Sequence, residues 1–107
     1  MTAPALHFND IAPKVTELFP DEDKRITGKP LRTSREFYNN AAHGVRSGTW
    51  KADVGSYRME LPETKHEFFH ILTGKVRVSL PDGSSAREYA AGDTGVVMAS
   101  PLSPTTV

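Results

Sequence analysis

Three side chains that can bind a metal ion lie close together in the sequence, at His66, Glu67 and His70. Imidazole nitrogens and carboxylate oxygens are donors for ions such as Fe, Mn, Ni and Zn, so this segment is the best candidate for a metal site. The aromatic residues and isoleucine around them predict a strand, and residues two apart on a strand share a face. Glu67 therefore faces away from both histidines, unless a β-bulge turns one of them to its side.

Four further side chains on predicted strands are candidates for contacts with a small-molecule substrate. Trp50 and Tyr57 are aromatic residues of the type that lines ligand pockets, and ordinary core packing is the alternative for both. Arg58 and Arg77 could clamp a carboxylate group, and the alternative is that they form the solvated face of a strand. The residue types alone leave these alternatives open.

The composition is that of a soluble globular domain and argues against several classes of partner. Of the 107 residues, 37% are hydrophobic, and 13 basic residues balance 13 acidic ones. This balance gives no electrostatic footprint for nucleic acid or an anionic membrane, so neither is expected as a partner. The sequence has no cysteine, no apolar run of membrane length and no signal-peptide core near its start, which predicts a cytoplasmic location.

The chain changes character near residue 35. Residues 1–34 contain four prolines and predict an irregular arm, in which a short strand near 6–8 and a helical turn at 11–18 are the candidate regular elements. Beyond them, short runs rich in Val, Tyr, Phe, Trp and Ile alternate with Gly, Pro, Asp and Ser, which is typical of an all-β domain. Seven strands are predicted, at 35–39, 45–52, 56–61, 66–72, 75–80, 86–90 and 95–99. Their number and spacing predict a sandwich or barrel, whereas the tail 99–107 has no strand pattern.

Three segments between residues 45 and 98 match the motifs of one known family. They are Glu67 followed after six residues by Gly74, the pair Gly92-Asp93, and SGTWKADVGSYR at 47–58. On these segments the chain resembles the cupin superfamily, and within it the small single-domain cupins grouped with ureidoglycine aminohydrolase and the ethanolamine-utilisation cupins. The resemblance implies an RmlC-like jelly-roll β-barrel over 35–107, preceded by the arm.

The sequence also departs from the pattern of metal-binding cupins. Those proteins usually carry His-x-His shortly before the glutamate, and here residues 61–63 contain no histidine. No histidine follows Gly92 either, where the second motif of many members supplies a ligand. Asp93, in the tight turn of that motif, is expected to accept backbone N–H groups. The family's final strands are missing as well, so a barrel without its last strands and with exposed edges is expected. Such edges favour pairing and predict a homodimer, formed by strand addition or by exchange of the arm.

Two functions follow from the resemblance as alternatives. In the first, the chain is a small cupin that binds a small polar metabolite in the barrel, with weak or no metal. In the second, it is a metal-dependent enzyme acting on a small nitrogen-containing or carboxylate metabolite with one divalent ion (Fe, Mn, Ni or Zn). The resemblance gives Glu67 the role of ligand or catalytic acid/base, with His66 or His70 assisting. The missing histidines favour the first function, because a metal ion that has only one or two protein ligands is bound weakly.

Overall fold

The computed structural model describes residues 5–59, 61–62, 64–80, 82–98 and 103–106, the last of these by their backbone alone. Apart from 3-10 turns at Phe8–Asp10, Glu22–Lys24 and Ala41–His43, the regular structure of these residues is β-strand. The all-β prediction is therefore confirmed. The described segments contain no helix that is long and apolar enough to cross a membrane.

The strands of the described segments pair antiparallel throughout. Their bounds are β1 Lys14–Leu18, β2 Arg25–Thr27, β3 Arg32–Asn40, β4 Val45–Ala52, β5 Ser56–Met59, β6 Glu67–His70, β7 Lys75–Val78, β8 Arg87–Ala90, β9 Thr94–Val97 and β10 Ser103–Thr106. The seven predicted strands are present as β3 to β9, with ends shifted by three residues or fewer. They form open sheets rather than a closed barrel within the described residues, so the jelly-roll barrel stays a prediction.

The first of two compact units consists of residues 1–19 and 31–52 and holds one sheet, in the order β1-β3-β4. The central strand β3 pairs with β1 on one side and with β4 on the other. A β-bulge at Phe37 interrupts the ladder between β3 and β4, next to the position opposite Gly48. The Phe37 ring stacks on the Phe8 ring with centroids 4.6 Å apart, so the N-terminal segment anchors the bulge.

The N-terminal arm is more regular than its prolines predict. The helical turn at 11–18 is wrong, because β1 lies there and its pairing with β3 outweighs local propensity. The strand near 6–8 is wrong too, since a 3-10 turn begins at Phe8 and is capped by the His7 Nδ1 atom. The boundary between arm and cupin domain at residue 34 stays a prediction.

The second compact unit consists of residues 20–30 and 53–107. It holds a five-stranded sheet in the order β2-β5-β10-β7-β8 and a two-stranded sheet of β6 and β9. The prediction of no strand in the tail 99–107 is wrong, because β10 lies between β5 and β7 and pairs with both. Two flanking strand edges offer backbone partners that a short segment can use whatever its own pattern.

A close approach of two chain segments fixes the start of β5. Pro30 is fully buried against Gly55, where a Cβ would stand 2.7 Å from the Pro30 Cδ atom and 2.9 Å from the Thr27 carbonyl oxygen. Glycine is the residue that fits this space. Beside it, the hydroxyl groups of Thr27 and Ser56 are hydrogen-bonded at 2.6 Å, which satisfies buried Ser56. This packing places Tyr57, which is 3% exposed, in the core of the second unit.

Candidate functional site

The candidate site is built on β6, whose alternate side chains face opposite ways. Glu67 and Phe69 share one face of this strand. The Phe69 ring meets the Tyr89 ring of β8 edge-on, with centroids 4.8 Å apart and planes at 81°. This contact packs the β6-β9 sheet against the five-stranded sheet, so Glu67 lies on the side that is turned toward that sheet. We call the surfaces of the two sheets that are turned toward each other the inner face.

The register of the five-stranded sheet shows which of its residues belong to the inner face. Tyr57 and Val78 both lie opposite Thr105, so they share a face. Val78 also lies opposite Arg87 of β8, and Tyr89 follows Arg87 by two positions on the same face. On β5, β7 and β8 the inner face of this sheet therefore combines apolar and aromatic side chains with a cation, namely Tyr57, Val76, Val78, Tyr89 and Arg87. Arg25 of β2 lies opposite Tyr57 and adds a second cation, whose Nε–H donates to the Pro20 carbonyl oxygen at 2.9 Å.

Gly95 makes the contact between the two sheets possible. It lies opposite Phe69 in the β6-β9 ladder. A Cβ at this position would stand 2.7 Å from the Phe69 Cζ atom and 2.7 Å from the Tyr89 Cε1 atom. The two aromatic rings thus occupy the space that a side chain at position 95 would need.

The structure separates His70 from Glu67 and places His66 outside the strand. His70 lies on the opposite face of β6, where its Nδ1 atom is 2.8 Å from the Thr94 hydroxyl oxygen of β9. His66 immediately precedes β6 and is exposed. The pairing of β6 with β9 runs in continuous register, without the bulge that would turn a histidine toward the inner face.

The side chains around Glu67 do not fit the divalent metal that the cupin resemblance implies. In the part of the chain that the structure describes, no three His, Cys, Asp or Glu side chains are grouped so that they could hold an ion. Catalytic metal sites in proteins commonly use three protein ligands. Glu67 is exposed, so its side chain can contact a small-molecule ligand directly, without a metal ion between them.

The two predicted substrate-binding arginines lie on the outer side of the five-stranded sheet. Arg58 alternates with Tyr57, and Arg77 alternates with Val78, so both face away from the inner face. The Arg77 Nη2 atom is 3.6 Å from the Glu88 Oε2 atom, and more than half of each side chain is exposed. An exposed ion pair of this kind stabilises a fold little. The position of Arg77 is that of a solvated strand face.

Trp50 belongs to the first unit, on β4, the last strand in the described order β1-β3-β4 of its sheet. It lies on β4 opposite Ser34 of β3, and 44% of its surface is exposed. Its neighbours on the same face of β4 are small, because Gly48 and Ala52 stand two positions away on either side. Core packing was the alternative role for Trp50, and a side chain this exposed is not packed in a core. Its role in substrate binding stays a prediction.

Sequence reasoning missed Arg87, Tyr89 and Gly95 on the inner face. The sequence REYA gives little signal of its own, because each face of the strand combines one charged and one apolar residue: Arg87 with Tyr89, and Glu88 with Ala90. The pairing of β7 with β8 was needed to place Arg87 beside Val78. No local signal shows that Gly95 accommodates two rings, because those rings come from β6 and β8.

The turn between β8 and β9 is held by Asp93, as predicted. Its carboxylate accepts the N–H of Ala90 at 2.8 Å. The Asp93 carbonyl oxygen accepts the N–H of Ile71, and the Ile71 carbonyl oxygen accepts the N–H of Gly92, both at 2.9 Å. These bonds extend the β6-β9 ladder beyond its regular strands and so fix the ends of the strands that carry the site.

The hairpin between β7 and β8 contains a carboxylate whose pKa can be tested directly. Hydrogen bonds from the hydroxyl and the backbone N–H of Ser84, at 2.6 and 2.9 Å, lower the pKa of Asp82 below 3.8. Because the folded pKa is lowered, this stabilisation is present at neutral pH and is lost as the pH falls through the folded pKa. In an NMR titration we expect an Asp82 midpoint below 3.8 that rises in Ser84→Ala, whereas a midpoint unchanged by the substitution would contradict the assignment.

One comparison with known proteins gives a match. A family model described as EutQ-like cupin domain matches residues 40–103, which is more than half of the chain. The matched segment includes every strand from β4 to β9 and therefore the inner-face residues on those strands. No curated protein matches the chain.

Proposed function

Because the chain belongs to the EutQ-like cupin domain family, we propose that its inner face binds a small polar metabolite, with weak or no metal. The observation that carries this proposal is the position of Glu67, which lies on the inner face while His70 lies on the other side of β6. A jelly-roll barrel, in which the sheets enclose the ligand, is the architecture we propose for this site.

The chemistry of the inner face suits a ligand with both polar and apolar parts. Glu67 can accept hydrogen bonds from an amino, amide or ammonium group, and a charged acceptor makes these bonds strong. Phe69 and Tyr89, which are both partly exposed, supply aromatic surface, as in most small-molecule sites, and buried Tyr57 packs in the core of the second unit. Arg87 adds a cation that can attract a carboxylate group on the same ligand. A small nitrogen-containing or carboxylate metabolite combines these features.

The proposal is tested by NMR titration of the 15N-labelled chain with a panel of small probes that includes acetate, urea and glycine amide. A binding probe is expected to shift the amide signals of Phe69 and Tyr89. Loss of a charge-assisted hydrogen bond in Glu67→Gln is expected to weaken binding about tenfold. His70→Ala is the matched control, because His70 lies on the opposite face of the same strand and should leave affinity unchanged.

Two results would count against this assignment. Shifts confined to the neighbourhood of His66 and His70 would place the ligand on the outer face of β6. Binding that requires an added divalent ion, and that is lost in Glu67→Gln and in His70→Ala alike, would favour the metal-dependent enzyme instead.

A further inference from the structure

The free edges of the described sheets differ in length and in protection. Strand β4 has eight residues and contains no proline, and among the residues that the structure describes it pairs on one side only, with β3. The other edge strands of these sheets have five residues or fewer. Prolines 13 and 20 also flank β1, at the opposite edge of the same sheet. Proteins usually protect free edges by shortness, proline, bulges or charge, and the only charges on β4 are Arg46 and Lys51 toward its ends.

We propose that β4 is a dimerisation edge, to which a second copy of the chain adds its own β4 antiparallel about a two-fold axis at Thr49. A two-fold axis that relates two antiparallel strands of one sheet is perpendicular to that sheet. It therefore keeps each side chain on the same face of the sheet, so a residue of β4 pairs only with a residue of the same face. Residues of one face are an even number of positions apart along the strand. The axis must therefore pass through a residue position and cannot lie between two neighbouring residues.

An axis at Thr49 pairs residues 46–52 and gives compatible neighbours along the interface. Thr49 lies opposite Thr49 of the second copy, which is a favourable cross-strand pair. Each Trp50 lies opposite Gly48 of the second copy, where an aromatic side chain covers the bare glycine backbone. The half-exposed indole thereby gains a partner surface that Gly48 and Ala52 on its own strand do not supply.

Charge supports this register over its neighbours. With the axis at Thr49, Arg46 faces Ala52 and Lys51 faces Ser47 of the second copy, so no like charges oppose one another. An axis at Gly48 would instead set Val45 against Lys51 and leave two glycines opposite each other at the centre. Axes at positions 47 and 50 would pair only 45–49 and 48–52, respectively.

The absence of cysteine from the sequence allows a direct test of this register. Thr49→Cys introduces a single thiol that should meet its copy at the axis, so mild oxidation should give a disulfide-linked dimer. Thr16→Cys is the matched control, since Thr16 is the middle residue of β1 at the opposite edge of the same sheet. Equal cross-linking of both variants, or cross-linking of Thr16→Cys alone, would overturn the proposal.

Light scattering at micromolar concentration provides the second measurement. The unmodified chain is expected at twice its mass of 11.7 kDa. Thr49→Lys places two ammonium groups opposite each other and should give a monomer, whereas Thr16→Lys should stay dimeric. A monomeric unmodified chain, or a dimer that persists in Thr49→Lys and does not cross-link through Thr49→Cys, would overturn the proposal. If Thr49→Lys loses its β-sheet circular dichroism, the cross-linking result decides.

Discussion

Replacing Gly48 with alanine is expected to lower the free energy of unfolding by on the order of 3 kcal/mol, the upper end for an overpacked site. The reason is a backbone contact across the sheet. A Cβ at position 48 would overlap the carbonyl oxygen of Arg35 and would lie 3.0 Å from the Glu36 Cα atom. Backbone atoms of the central strand β3 cannot move aside as a flexible side chain can, so the bulge at Phe37 would have to rearrange.

Chemical denaturation followed by circular dichroism measures this effect. Ser47→Ala is the matched control, because Ser47 is an exposed neighbour on the same strand and should change stability by less than about 0.5 kcal/mol. Equal unfolding midpoints for Gly48→Ala and Ser47→Ala would show that the close approach of β3 and β4 is not as described.

Replacing Gly95 with alanine is expected to destabilise the chain by about 2 kcal/mol, since added volume in a packed contact typically has this effect. Here the added methyl group meets Phe69 and Tyr89, the ring pair that packs the two sheets of the second unit together. Displacement of Phe69 should also disturb the strand that carries Glu67. We therefore expect Gly95→Ala to weaken binding of any inner-face ligand as well as to lower the unfolding midpoint.

A double-mutant cycle separates this clash from a general effect of alanine in β9. If the methyl group competes with the Phe69 ring, Phe69→Leu should lower stability less in the Gly95→Ala background than alone, by a coupling of about 0.5 kcal/mol or more. Val96→Thr, on the opposite face of β9, is the control and should be nearly neutral. Strictly additive effects at positions 95 and 69 would contradict the packing that defines the inner face.

Much of the strand layout could be predicted because it depends on local signals. Alternation of apolar and polar residues and the placement of glycine, proline and aspartate located β3 to β9 to within three residues at each end. The strands that sequence reasoning missed are those fixed by distant partners. Strand β1 forms by pairing with β3, and β10 forms by pairing with β5 and β7 on either side. Neither segment has a clear hydrophobic pattern of its own.

The site was predicted less completely than the strands, for a similar physical reason. The period of a strand was sufficient to separate Glu67 from His70. It was not sufficient to show that Arg77 faces outward while Arg87 faces inward, because that depends on the register of β7 with its neighbours. The role of Gly95 depends on two rings from other strands, so no reading of residues 90–97 alone would have revealed it.

Elemental mass spectrometry of the purified chain and of Glu67→Ala, each after incubation with Fe, Mn, Ni and Zn in turn, shows whether Glu67 is a metal ligand or is free to bind a metabolite. Because Glu67 lies on the inner face without His70, and the described segments group no three metal-binding side chains, we expect far less than one ion per chain. We also expect no difference between the unmodified chain and the variant. One tightly held ion per chain that disappears in Glu67→Ala would contradict the account and identify Glu67 as a metal ligand.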